Sequence, residues 1–96
     1  MREFKKKARV LLVDDNVDHL RGIKELISLE TSYDIVGTTT SANVGINLVK
    51  KYHPDIVIMD VNLPEKDGLQ AIQEIEKLEL DTKILVLSGY DGPDLI

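Results

Sequence analysis

The sequence predicts an α/β protein, a parallel β-sheet with helices on both faces. Three observations carry this reading. Val10-Leu11-Leu12-Val13, Ile56-Val57-Ile58-Met59 and Ile84-Leu85-Val86-Leu87 are short apolar runs bounded by polar residues, as strands buried on both faces are. Between them, apolar residues recur at spacings of three and four, the period of a helix. Each run also stops at a residue suited to phosphoryl or metal chemistry: Asp14-Asp15, Asp60 and Ser88. In parallel sheets ligands bind beyond the carboxyl ends of the strands, so these residues should gather at one edge.

The elements follow in order. After the first run, Val17, Leu20, Ile23, Leu26 and Ile27 form a helical stripe, with Asn16 or Asp18 able to cap its first turn. Tyr33-Asp34-Ile35-Val36-Gly37-Thr38 is β-branched but less apolar, which suits an edge strand. A second helix should begin near Ser41 and turn Ala42, Ile46, Val49, Leu48 and Tyr52 inward. Gly45 and two Asn weaken it intrinsically, and His53-Pro54 ends it. After Asp60 comes a loop punctuated by Pro64 and Gly68. Leu69, Ile72, Ile75 and Leu78 then mark a third helix, and Asp81-Thr82 turns the chain into the last apolar run. Residues 89–96 read as a loop entering a helix, with Pro93 in its first turn. The order is βαβαβαβ, with right-handed crossovers.

A chain of 96 residues supports one domain. Its net charge of −5 argues against nucleic-acid binding by this segment. Arg2, Lys5, Lys6, Lys7 and Arg9 precede or open the first strand, and residues 1–8 read as a solvated basic lead-in to a domain over 9–96. There is no cysteine, hence no thiolate site or disulfide. No apolar stretch approaches the roughly 20 residues of a membrane span, and no apolar segment follows the charged N-terminus. The expectation is a soluble, cytoplasmic protein without membrane partners.

The chemistry rests on carboxylates. Asp14 and Asp15, joined by Asp60 from a neighbouring strand end, supply hard oxygen ligands that select Mg²⁺ or Mn²⁺. Three carboxylates close together repel, and a divalent cation is the simplest way to keep them ionised. Adjacent Asp residues could also merely cap the following helix, but matching polar residues at the other strand ends favour a site. His19, four residues after Asp15, reads as solvent-facing. His53 belongs to a helix-ending turn, and Tyr90 reads as a packing residue. No phosphate-binding glycine motif is present.

These residues carry a resemblance. Val10-Leu11-Leu12-Val13-Asp14-Asp15, the stretch from Pro54-Asp55 through Asp60-Val61-Asn62-Leu63-Pro64 with Gly68, and Leu87-Ser88-Gly89-Tyr90 resemble the receiver domain of two-component response regulators. The resemblance implies a flavodoxin-like (CheY-like) sheet with strand order 2-1-3-4. It implies that Asp60 is the phosphoacceptor and that Asp14, Asp15, Asp60 and the Asn62 carbonyl hold Mg²⁺. Ser88 matches the switch hydroxyl that meets the phosphoryl group. A sensor histidine kinase or a histidine phosphotransfer protein would be the donor. The family's fifth strand, with its phosphate-pairing lysine, has no counterpart here, and neither Lys66 nor Lys83 matches that position. The domain therefore reads as lacking most of the fourth helix and all of the fifth strand and fifth helix, with phosphorylation impaired.

The expected function is a phosphoacceptor receiver module, not an enzyme beyond its own phosphorylation and dephosphorylation at Asp60. Two alternatives stand beside it: an interaction module of the same fold that works without phosphate, and a small Mg²⁺-dependent phosphohydrolase using Asp60 as nucleophile. The apolar fourth strand, left at an edge, predicts self-association.

Overall fold

The computed structural model describes residues 7–60 and 68–87. Among them, β1 (Ala8–Val13), α1 (Val17–Ser28), β2 (Tyr33–Thr39), α2 (Ala42–Tyr52), β3 (Ile56–Asp60), α3 (Gly68–Glu76) and β4 (Lys83–Leu87) alternate as expected. The strands form one parallel sheet in the order β2-β1-β3-β4. Residues 1–6, 61–67 and 88–96 lie outside the described residues, and the expectations for Asn62, Ser88 and Tyr90 lie there with them.

Alternate residues of the central strands face opposite layers, because side chains on a strand have a period of two. Leu11, Val13, Val57 and Met59 pack under α2 and α3, against Ala42, Ile46, Val49, Ala71 and Ile75. Val10 and Leu12 point the other way, towards Leu20, with Ile23, Ile27, Ile35, Ile56 and Ile58 packed around them. β1 is therefore covered on both faces, as its continuous apolar run requires.

Local chemistry sets the boundaries. Asn16 caps α1 by accepting from the backbone N–H groups of Asp18 and His19, and Ser41 caps α2 by accepting from Val44. α2 ends at His53, which takes a left-handed conformation with φ 46°. Arg9 holds that end by donating through Nη1 to the carbonyls of Tyr52 and His53, at 2.7 and 3.2 Å. Asp55 joins three strands at their amino ends. Its carboxylate accepts from the Arg9 N–H at 2.8 Å, its own N–H donates to the Arg9 carbonyl, and its carbonyl accepts from Lys83.

Several helix faces differ from the periodic reading. Val17, Leu26 and Leu69 are exposed rather than core-facing, while Ala71 and Gly68 are buried on α3. Tyr52 lies at the surface, its ring 5.2 Å beneath the Lys51 ammonium, instead of turning inward. A helix buries only the stripe that its crossing angle presses onto the sheet, so apolar residues at the stripe's margin stay in solvent. Gly45 has a tertiary reason to be glycine: a Cβ there would come within 2.9 Å of Val13 Cγ2. β4 also departs from its apolar composition. Leu85 and Val86 are 54% and 42% exposed, since β3 is the only strand paired with β4 among the described residues.

Candidate functional site

The register of β1 and β3 builds the site. Val13 pairs with Met59 in parallel, so the next residue on each strand, Asp14 and Asp60, emerges at the same sheet edge. Asp60 is the last residue of β3 and pairs with Leu87 at the end of β4. β1 is held at the same level on its other side, where the Asp14 N–H donates to the Thr39 carbonyl at 3.1 Å. Oxygens of Asp14, Asp15 and Asp60 all lie within 4.8 Å of one another. The chain turns after Val13, so the neighbouring Asp14 and Asp15 both reach the cluster, Asp14 and Asp60 from buried positions and Asp15 from solvent. The bare helix-capping reading of the acid pair fails here, because Asn16 takes the cap of α1.

Asp14 has a neighbour at each oxygen. Oδ1 accepts from the Asn16 N–H at 2.9 Å, and Oδ2 lies 3.4 Å from His19 Nδ1. Burial pushes the Asp14 carboxyl above its ordinary range and the Asp60 charge pushes the same way, while Asn16 and His19 oppose the rise. A group of hard oxygens that repel one another in a half-enclosed site is a donor set that fits Mg²⁺ or Mn²⁺, and the residues present are compatible with such an ion.

Two members of the cluster, Asp14 and Asp60, line a cleft of about 520 Å³ between α1 and the end of β4, together with Asp18, His19, Ile23 and Leu26 among others. His19 is the residue that sequence reasoning set aside. It is exposed as expected, but it leans onto Asp14. The available signal was its place in the first turn of α1, one helical turn after the acid pair.

A parallel sheet of order 2-1-3-4 with carboxylates at the ends of its two central strands defines an α/β domain with an acidic cluster at the carboxyl edge of the sheet. Residues 10–96 match the response regulator receiver domain family, and the chain belongs to that family. It is 38% identical over 81 residues to the chemotaxis protein CheY of Thermotoga maritima, covering 84% of this chain and 67% of that protein. It is 36% identical over 88 residues to the transcriptional regulatory protein YdfI of Bacillus subtilis, covering 92% of this chain and 41% of that protein. Among solved structures, the signal receiver domain of the response regulator NarL from Mycobacterium tuberculosis superposes with a TM-score of 0.86 at 30% identity, covering 93% of this chain and 72% of that one. The chain spans about two fifths of the length of the transcriptional regulators it matches. Among the described residues no helix is long and apolar enough to cross a membrane.

Proposed function

We propose that this receiver domain accepts a phosphoryl group on Asp60 from a phosphohistidine of a sensor histidine kinase or a histidine phosphotransfer protein. The observation that supports this best is the grouping of Asp14, Asp15 and Asp60 at the carboxyl ends of β1 and β3. A carboxylate oxygen of Asp60 attacks phosphorus, the P–O bond forms, and the P–N bond to the imidazole breaks with its electron pair leaving on the ring nitrogen. Asp15, Asp60 and the main-chain carbonyl of Asn62 would hold Mg²⁺, with Asp14 contributing through water. Bound there, the ion would supply neutralisation of charge on the phosphoryl oxygens. Ser88 would donate a hydrogen bond to a phosphoryl oxygen, a contact available only after Asp60 is modified.

The sequence relatives include transcriptional regulators and a chemotaxis protein, so the output is carried by a separate module or partner. We infer too that copies of this 96-residue chain associate through the exposed edge of β4, where Leu85 and Val86 present apolar side chains beside unpaired backbone groups among the described residues.

The test is intact-mass analysis after incubation with acetyl phosphate and Mg²⁺. One phosphoryl group should add to the parent and none to Asp60→Ala. Labelling that survives Asp60→Ala would overturn Asp60 as the acceptor, and no labelling together with no beryllofluoride-induced shifts would favour the phosphate-independent module. Turnover of a phosphomonoester would instead favour the hydrolase.

A further inference from the structure

The cluster of carboxylates has a neighbour that the proposed phosphoryl chemistry does not use. His19 Nδ1 lies 3.4 Å from Asp14 Oδ2, yet His19 is not one of the three residues whose donor atoms share the metal-sized space. Asp14 is almost wholly buried, whereas the His19 side chain is 62% exposed, so the imidazole reaches the carboxylate from the solvent side. The contact also belongs to a ring. The Asn16 N–H donates to Asp14 Oδ1 at 2.9 Å, the Asn16 side-chain oxygen accepts from the His19 N–H at 3.1 Å, and His19 returns to Asp14 through Nδ1. One carboxylate is thereby hydrogen-bonded through Oδ1 to the N-cap of α1 and lies through Oδ2 against the imidazole in the helix's first turn. A carboxylate that is free to rotate must be ordered when it binds a hydrated ion, and partners that hold it in advance strengthen binding.

We infer that His19 is a positioning residue for the cation, orienting Asp14 so that its carboxylate faces the space shared with Asp15 and Asp60. The inference rests on the reading of that cluster as a cation site. With its proton on Nδ1 the neutral ring is already a donor, so the role does not require a charged histidine. Because the donor sits on α1, the cation site is coupled to the first turn of this helix: displacing that turn releases one oxygen of Asp14.

The experiment follows Mg²⁺ titrations by backbone amide shifts in the parent, His19→Leu, His19→Asn and Asp60→Asn. Asn carries an amide donor close to where Nδ1 stands in His, whereas Leu keeps bulk without a donor. His19→Leu should weaken Mg²⁺ binding about tenfold, the low end of what lost outer partners of ligands cost, because the contact is long and exposed. His19→Asn should recover most of that loss, and the metal-free Asn16 amide should shift in His19→Leu and return in His19→Asn. If Asp60→Asn abolishes binding while His19→Leu binds as tightly as the parent, the role of His19 is overturned and the site stands. An Asn variant as weak as the Leu variant also overturns it. If the parent shows no saturable Mg²⁺ shifts, the reading of the cluster itself fails.

Discussion

Replacing Asp14 by asparagine should make the metal-free protein more stable at neutral pH. Oxygens of Asp14, Asp15 and Asp60 lie within 4.8 Å of one another, and two unit charges at that distance repel by about 3.5 kcal/mol at an effective dielectric constant of about 20. Asp15 is exposed, so water screens its share, and the remaining repulsion falls mainly between the two buried carboxylates. Asparagine keeps an oxygen to accept from the Asn16 N–H, and its amide can face His19 with the ring proton moved to Nε2. Allowing for that exchange and for partial relaxation of the wild-type carboxyl, the gain should be about 2 kcal/mol, or roughly 8–16 °C in Tm for a domain of this size. The pH dependence follows from the raised Asp14 pKa. A carboxyl whose folded-state pKa lies above its unfolded value of 3.8 contributes stability that is fully present below that value and lost as pH rises through the folded one. The advantage of Asp14→Asn should therefore be small in acid and open as the pH approaches neutrality. Millimolar Mg²⁺ should reverse the order by stabilising the parent, since a ligand of the native state raises stability in proportion to its binding. Thermal melts followed by circular dichroism, with and without Mg²⁺, provide the assay. A folded Asp14→Asn protein that melts at or below the parent at neutral pH without metal would refute the repulsion argument, as would a difference that does not change with pH.

Gly45→Ala should lose about 1 kcal/mol in urea unfolding: the new Cβ meets Val13 Cγ2 at 2.9 Å, and this overpacking outweighs the roughly 1 kcal/mol that alanine gains in helix propensity. A stabilised Gly45→Ala variant would mean that Val13 shifts without cost. Leu85→Lys should suppress self-association of the 96-residue chain in a light-scattering concentration series, because a charge on an exposed strand edge opposes pairing. A parent that stays monomeric at high micromolar concentration, or a variant that associates equally, would count against the edge contact.

The sequence by itself determined the alternation of strands and helices, the last strand at Lys83–Leu87 and where the first two helices begin, though it left the cap of α1 open between Asn16 and Asp18. These are local properties, set by β-branched runs of limited length and by side chains that can accept bonds from the turn they begin. It also determined that Asp14 and Asp60 would meet, because two runs of equal length in a parallel sheet end at the same level. Strand order came from resemblance to the receiver family, and the sheet bears it out. Tertiary structure alone decided which margin of each helix stays wet, as at Leu26 and Leu69, since a period names a face but not the element that covers it. It decided that Gly45 makes room for Val13, a contact between residues 32 positions apart that no local pattern encodes. And it decided that His19, an unremarkable histidine on an exposed face in the sequence, leans onto Asp14, because the turn after β1 brings the first turn of α1 back over the strand end.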